Sequence, residues 1–171
     1  MNNIADEITF TNAKLTDLSF IVEIYNQTIA SRMVTADTSP VTVDNRIEWF
    51  NAHNVETRPL WLINYKNQPC GWVSLSTFYG RPAYAKTVEI SLYIDEAFRG
   101  KKIGQHAVIA IEQFAQQHKI DTILGYIFAH NSPSLALFEK LGYRKWGHLF
   151  NIAELDGIKR DLIILGKQIV H

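Results

Sequence analysis

Three stretches of this chain hold residue types whose spacing suits chemistry. The first is RGKKIGQ, Arg99 to Gln105. It lies where an alternating stretch gives way to an apolar helical pattern, so Gly100 and Gly104 bracket a helix start. The first turn of a helix leaves backbone N–H groups unpaired, and the macrodipole adds about half a positive charge there. Glycine lets the loop backbone approach a ligand closely. Arg99, Lys101 and Lys102 add cationic side chains. Phosphate or pyrophosphate is the natural occupant of such a turn. The stretch is neither a P-loop nor a dinucleotide fingerprint, since GxxxxGK[ST] and GxGxxG are both missing. The competing reading is a solvated basic loop.

The second stretch is TVEISLYI, residues 87–94. Strict alternation turns Val88, Ile90, Leu92 and Ile94 to one face and Thr87, Glu89, Ser91 and Tyr93 to the other. Glu89 is then a carboxylate on the polar face of a central strand. From Glu89 to Ile94 the strand covers about 17 Å. A carboxylate at one end and a phosphate cradle at the other suit an elongated ligand with a reactive tip. The competing reading pairs Glu89 with a Lys or Arg. The third stretch is FAHNSPS, residues 128–134, where a strand ends and Asn131, Ser132 and Ser134 open a helix. Capping accounts for these residue types. They also border the crevice that parallel strands leave at their carboxyl ends.

The elements that position these residues follow from periodicity. EITF (7–10) predicts a strand, and Leu18, Ile21, Val22, Tyr25 and Ile29 a helix capped by Thr16 or Asp17. Val43, Ile47 and Phe50 mark a second helix after the loop VTADTSPVT. LWLINYK (60–66) and WVSLSTF (72–78) form a hairpin around the turn NQPCG (67–71). After the helix that follows RGKKIG come DTILGYIF (121–128) and the helix NSPSLALFEKLG. There Ser132 is read as N-cap, Pro133 as first helical residue and Gly142 as the stop. Two strands joined at LDG (155–157) finish the chain. The order β-α-α-β-β-β-α-β-α-β-β predicts a mixed α/β (α+β) fold, about seven strands with about four helices packed on the sheet. One domain over 1–171 is expected.

Composition narrows the function. The 171 residues are 47% hydrophobic, enough for a full core. The 17 basic and 17 acidic residues leave no net charge, which argues against nucleic acid as a partner. Cys70 is the single cysteine, so no internal disulfide and no thiolate metal site is expected. Its thiol is read as inert. The six histidines lack metal spacing, and no metal is expected. The polar start and the lack of a run of about 20 apolar residues predict a cytoplasmic protein with no membrane partner. The four tryptophans, Trp49, Trp61, Trp72 and Trp146, are assigned to the core.

RGxxxG after a strand, with NxxS after the next, resembles the GNAT acetyltransferase superfamily. YNQTI, VTADTSPVT, RPAYAKTVEISLYI and SLALFEKLGY, in that order, resemble its phosphinothricin and methionine sulfoximine acetyltransferases over roughly residues 8–165. The resemblance implies acetyl-CoA as donor and a small-molecule amine as acceptor. It places the pyrophosphate on the amides of Gly100, Lys101, Lys102, Ile103, Gly104 and Gln105, with Arg99 and Lys101 adding charge. Pantetheine would lie along Leu92, Tyr93 and Ile94 and meet Asn131 and Ser134. Glu89 would be the general base, and a strand bulge near Leu92 would free a backbone N–H for the developing oxyanion. Thr35 in the VTADT loop, Phe78, Tyr79, Arg81 and Tyr84 would shape the acceptor pocket. A homodimer is implied as well. The chain departs from the family pattern at Lys102, often Gly; at Phe138, often Tyr or His; and at Tyr79, frequently Arg, for which Arg81 can substitute. Other amine acceptors, or a non-catalytic acyl-CoA sensor, remain open on the sequence.

Overall fold

The structure is a computed structural model and describes residues 3–171; Met1 and Asn2, the start of the expected domain, lie outside the described residues. Strands β1 (Ile8–Asn12), β2 (Leu60–Tyr65), β3 (Gln68–Thr77), β4 (Thr87–Ile94), β5 (Thr122–Phe128), β6 (Arg144–Leu155) and β7 (Ile158–Gln168) form one sheet. Its order is β1-β2-β3-β4-β5-β7-β6. The helices are α1 (Leu18–Gln27), α2 (Val43–Asn51), α3 (Ile103–Gln117) and α4 (Ser132–Lys140). Seven strands in one mixed sheet with four helices packed on it is the architecture that the element order predicts.

The helices divide between the two faces as the alternation requires. Val88 and Ile90 of β4 join Val73, Leu75, Ile103, Ile111 and Phe138 in a core beneath α3 and α4. On the opposite face Trp72 packs with Leu18, Ile21 and Ile24 of α1, and Trp49, Phe50 and Tyr93 close around them. Burying a side chain of this size stabilises by about 1.5–3 kcal/mol. Both faces of β4 are therefore anchored.

The pair β4–β5 is the parallel pair, and it is short. It runs only Thr87↔Thr122, Val88↔Ile123 and Glu89↔Leu124. Beyond Glu89 the strands part: β5 continues against β7 as far as Phe128, and β4 against β3 as far as Ile94. Alternation fixes which backbone groups face the gap. The Lys86 carbonyl accepts from Thr122 N–H on the β5 side, and Asp95 N–H donates to the Cys70 carbonyl on the β3 side. Even-numbered residues of β4 thus turn N–H and C=O toward β5. Past the pairing, Leu92 and Ile94 aim theirs into the gap.

Several local expectations are corrected. No bulge exists near Leu92: the β3–β4 register runs unbroken from Gly71↔Ile94 to Thr77↔Val88. The parting of β4 from β5 exposes the Leu92 amide instead. The hairpin turn falls on Lys66 and Asn67, with φ of 51° and 63°, so β3 begins at Gln68 rather than after a turn over 67–71. Asn131, not Ser132, caps α4, its carboxamide oxygen accepting from Ser134 N–H at 3.3 Å. Asp17 stands at the N-cap position of α1 but makes no side-chain capping bond; its carboxylate accepts from Lys14 N–H of the preceding 3-10 turn. Trp146 is 50% exposed and lies over Gly166 instead of in the core. Cys70 is fully buried, and burial pushes its thiol up to about 11.

Candidate active site

Glu89 sits at the fork where β4 and β5 part. It is half-buried in a cavity of about 110 Å³ with Ser91, Leu92, Tyr126, Asn131 and Phe138 on its walls. Among the described residues no Lys or Arg pairs with it and none donates it a hydrogen bond. Burial alone pushes its carboxyl above the usual carboxylate range. A carboxylate desolvated and without a donor is a stronger base than one in water. Phe138, in the same wall, is buried edge-to-face against Tyr143 and has no proton to give.

From this cavity a groove of about 370 Å³ leads along the gap. Leu92, Tyr93, Ile94, Arg99, Gly104, Asn131 and Ser134 all line it, with Val34 and Leu137 shared with the Glu89 cavity. Its far end is the start of α3. No side chain caps that end: the residue before the helix is Lys102, at φ 59°, a left-handed conformation that favours glycine. The first-turn N–H groups of Ile103, Gly104 and Gln105 are thus left for a ligand. Gly100, at φ 78°, makes the turn into this end. Arg99 is held loosely, 3.9 Å from Glu96, and Lys101 is exposed. Asn131 is buried, and its oxygen is spent on the Ser134 amide, which leaves its amino group for the groove.

The residues expected on the acceptor side are not all brought together. Phe78, Tyr79 and Tyr84 form a three-ring cluster with centroids 5.6–6.0 Å apart. Tyr79 and Tyr84 are exposed, and none of the three lines the cavity at Glu89. Arg81 is exposed in the same loop and has no ion-pair partner among the described residues. Buried Arg58 pins that loop, donating to Ala85 O at 2.8 Å and to Thr77 Oγ1 at 3.0 Å. Thr35, a buried residue of the α1–α2 loop, hydrogen-bonds the Tyr25 hydroxyl, which also bonds Asp37.

Sequence reasoning missed a second cavity, of about 180 Å³, between α1, α2 and the sheet. Tyr25, Arg46, Trp49, Trp72, Ser91 and Tyr93 line it, so Ser91 and Tyr93 are common to it and the Glu89 cavity. Trp72 stacks on Tyr93 at 4.6 Å and meets Trp49 edge-on at 5.3 Å. Trp49 and Trp72 thus wall a cavity in addition to filling core. Arg46 is tied to Asp37 at 2.9 Å and lies over the Tyr25 ring. Tyr126 was missed as well, although alternation through TILGYIF places it with Leu124 on the Glu89 face. Among the described residues no group of three or more His, Cys, Asp or Glu is placed to hold a metal, and no helix is long and apolar enough to cross a membrane.

Comparison with known proteins agrees with this geometry. Residues 21–143 match the acetyltransferase (GNAT) family. YwnH of Bacillus subtilis, a provisionally assigned phosphinothricin acetyltransferase, is 50% identical over 163 residues, 95% of this chain and 99% of that protein. The L-methionine sulfoximine/L-methionine sulfone acetyltransferase of Pseudomonas paraeruginosa is 24% identical, with 90% of each chain covered. The crystal structure of a GNAT phosphinothricin acetyltransferase from Sinorhizobium meliloti in complex with AcCoA superposes with a TM-score of 0.88 at 22% identity, over 95% of this chain and 89% of that one. A half-buried carboxylate at the fork of a splayed sheet, a groove ending on an uncapped helix and these matches lead to one conclusion: the chain is an N-acetyltransferase of the GNAT family.

Proposed function

We propose that residues 1–171 form a single acetyltransferase domain that moves an acetyl group from acetyl-CoA to the amine of a small amino acid or analogue of the phosphinothricin and methionine sulfoximine type. The carrying observation is the continuity of the groove: one end is the uncapped start of α3 and the other is Glu89. Acetyl-CoA fits the residues present. Its pyrophosphate finds the amides of residues 100–105 and the Arg99 and Lys101 charges. Its pantetheine finds the Leu92 and Ile94 backbone groups that β5 leaves unpaired, with Asn131 and Ser134 opposite. When bound it supplies an activated thioester.

This chain's own residues do the rest. Glu89 takes the proton that the acceptor ammonium must lose, directly or through one water. The Leu92 N–H donates to the thioester carbonyl oxygen as charge builds there. Phe138 gives no proton, and a thiolate of ordinary pKa about 8.5 needs little acid help to leave. The aromatic cavity beside Ser91 receives the acceptor's side chain, with Thr35 holding Tyr25 in its wall, and Arg81, on the loop of Phe78, Tyr79 and Tyr84, meets its carboxylate. We place the enzyme in the cytoplasm as a homodimer, working without metal, nucleic acid or membrane. Support for the dimer comes from Phe150, Ile152 and Ile158, 52–71% exposed on the β6–β7 hairpin.

Steady-state turnover with a panel of amines tests the reading. Phosphinothricin and methionine sulfoximine should be acetylated far faster than polyamines or peptide N-termini. A protein that binds acetyl-CoA and acetylates nothing in the panel is a sensor, and that result overturns the proposal.

A further inference from the structure

Among the described residues Glu89 has no hydrogen-bond donor, even though a hydroxyl group lies directly across the ladder. Ser76 pairs with Glu89 in the β3–β4 register. Opposite residues of an antiparallel pair point to the same face, with Cβ atoms roughly 4.5–5.5 Å apart. A serine so placed could donate to the carboxylate. Its proton goes elsewhere. His53, just past the end of α2, places Nε2 3.2 Å from Ser76 Oγ. The other ring nitrogen, Nδ1, is 2.8 Å from the Trp49 carbonyl oxygen, which can only accept. Nδ1 therefore carries the hydrogen, and in a neutral ring Nε2 is a bare acceptor. The Ser76 hydroxyl must donate to it.

We propose that His53 is a positioning residue for the acetyl transfer: by accepting a hydrogen bond from the Ser76 hydroxyl it turns the serine's lone pairs toward Glu89 and keeps that serine from donating to the carboxylate. The proposal rests on the reading of Glu89 as base. A donated hydrogen bond would stabilise the ionised carboxylate and weaken it as a base. Burial favours the neutral ring that this arrangement requires. The surroundings do not compete. Trp49 and Phe50 of α2, with Asn12, Asn54 and Leu60, stand around the ring and carry no charge. The titratable groups that face Glu89 are Tyr93 of β4 and Tyr126 of β5, whose phenols burial pushes up and keeps neutral. Protonated His53 would reverse the Ser76 bond, because Nε2 would donate and the serine proton would swing to Glu89.

The test is an NMR titration of the Glu89 side-chain carboxyl in the full chain, assigned with Glu89→Gln. His53→Ala should lower the midpoint by about one pH unit, the size of shift one added hydrogen bond gives. Ser76→Ala alone should leave it in place, and the double variant should restore the wild-type midpoint. A midpoint unmoved by His53→Ala, or lowered equally without Ser76, overturns the proposal. Should His53→Ala not fold, His53→Phe keeps a ring against Trp49 and accepts nothing. The wild-type imidazole nitrogen shifts decide independently of any variant: an Nδ1-protonated ring is required, and an Nε2-protonated ring refutes the assignment. Full turnover by Glu89→Gln would instead remove the base reading while leaving the midpoint results standing.

Discussion

Gly104 and Leu137 stand so close that a Cβ on Gly104 would come within 3.3 Å of Leu137 Cδ2, with Ile94 Cδ1 at 3.4 Å. The first turn of α3 is thereby seated against β4 and α4, where the three residues line the groove that leads from Glu89. Gly104→Val must push Leu137 or Ile94 into that groove. The expected result by calorimetry is acetyl-CoA binding about tenfold weaker or worse, a loss of roughly 1.4 kcal/mol. Gly104→Ala should lie between wild type and valine. A dissociation constant unchanged by valine would detach this helix start from the ligand.

Glu89→Gln should keep acetyl-CoA binding and lower kcat by roughly 10²-fold or more, the range for a lost general base. The pH dependence has a definite sign. Burial raises the Glu89 carboxyl in the fold. Turnover should accordingly rise with pH through a midpoint above the usual carboxylate range, and this limb should vanish in the glutamine variant. The same shift makes the neutral form the stabilising one. Its contribution is full below the unfolded pKa and is lost as pH rises through the folded value. Glu89→Gln should therefore melt higher than wild type at pH 7 and equally at low pH. A lower melting point at pH 7 would show that the charged form is paired in solution.

Arg81 and Arg46 are rivals for an acceptor carboxylate, and their partners decide between them. Arg46 is already neutralised by Asp37 at 2.9 Å, whereas Arg81 has no partner among the described residues. A carboxylate leaving water needs a cationic or amide partner, and a free guanidinium offers two parallel bonds. Arg81→Ala should raise KM for methionine sulfoximine about tenfold or more, with KM for acetyl-CoA unchanged. The comparison acceptor is the same amine without its carboxylate, which Arg81→Ala should not affect. A KM rise confined to Arg46→Ala would move the carboxylate into the aromatic cavity.

The β6–β7 hairpin gives a prediction about assembly. Phe150 is 71% exposed and Ile152 60%, on the edge strand of the sheet. Wild-type protein should scatter light as a dimer at micromolar concentration, and Phe150→Glu with Ile152→Lys should scatter as a monomer that is still folded. Wild-type protein found only as a monomer would rule out a stable dimer.

The parts of this site that lie on one strand or one turn were legible in the sequence. Alternation alone puts Glu89 on the face away from Val88 and Ile90, and the glycine-marked loop announces a helix start, which no side chain caps. What depended on distant segments meeting was not. Ser76 is a plain polar-face residue until the register sets it across from Glu89, and His53 reaches it only because the end of α2 docks there, 23 residues earlier. Lys66 and Asn67 defeated turn reading for a different reason: polar side chains occupy positive-φ positions where glycine is the expected signal, so the turn was placed too late, toward Gly71. The bulge expected near Leu92 was a device for exposing one amide, and the chain achieves the same exposure by ending the β4–β5 pairing at Glu89.

That short pairing also makes the sheet a wedge. Three paired positions, ending at Glu89↔Leu124, join the strands β1–β4 to the strands β5–β7–β6, and the core under α3 fills the space behind them. Glu89 is therefore held by neighbours on both edges of β4, whereas Ile94, about 17 Å along, is held by β3 alone. The sheet is closed at one end of β4 and open at the other, so a single strand presents a fixed carboxylate at the apex and free backbone groups along the mouth.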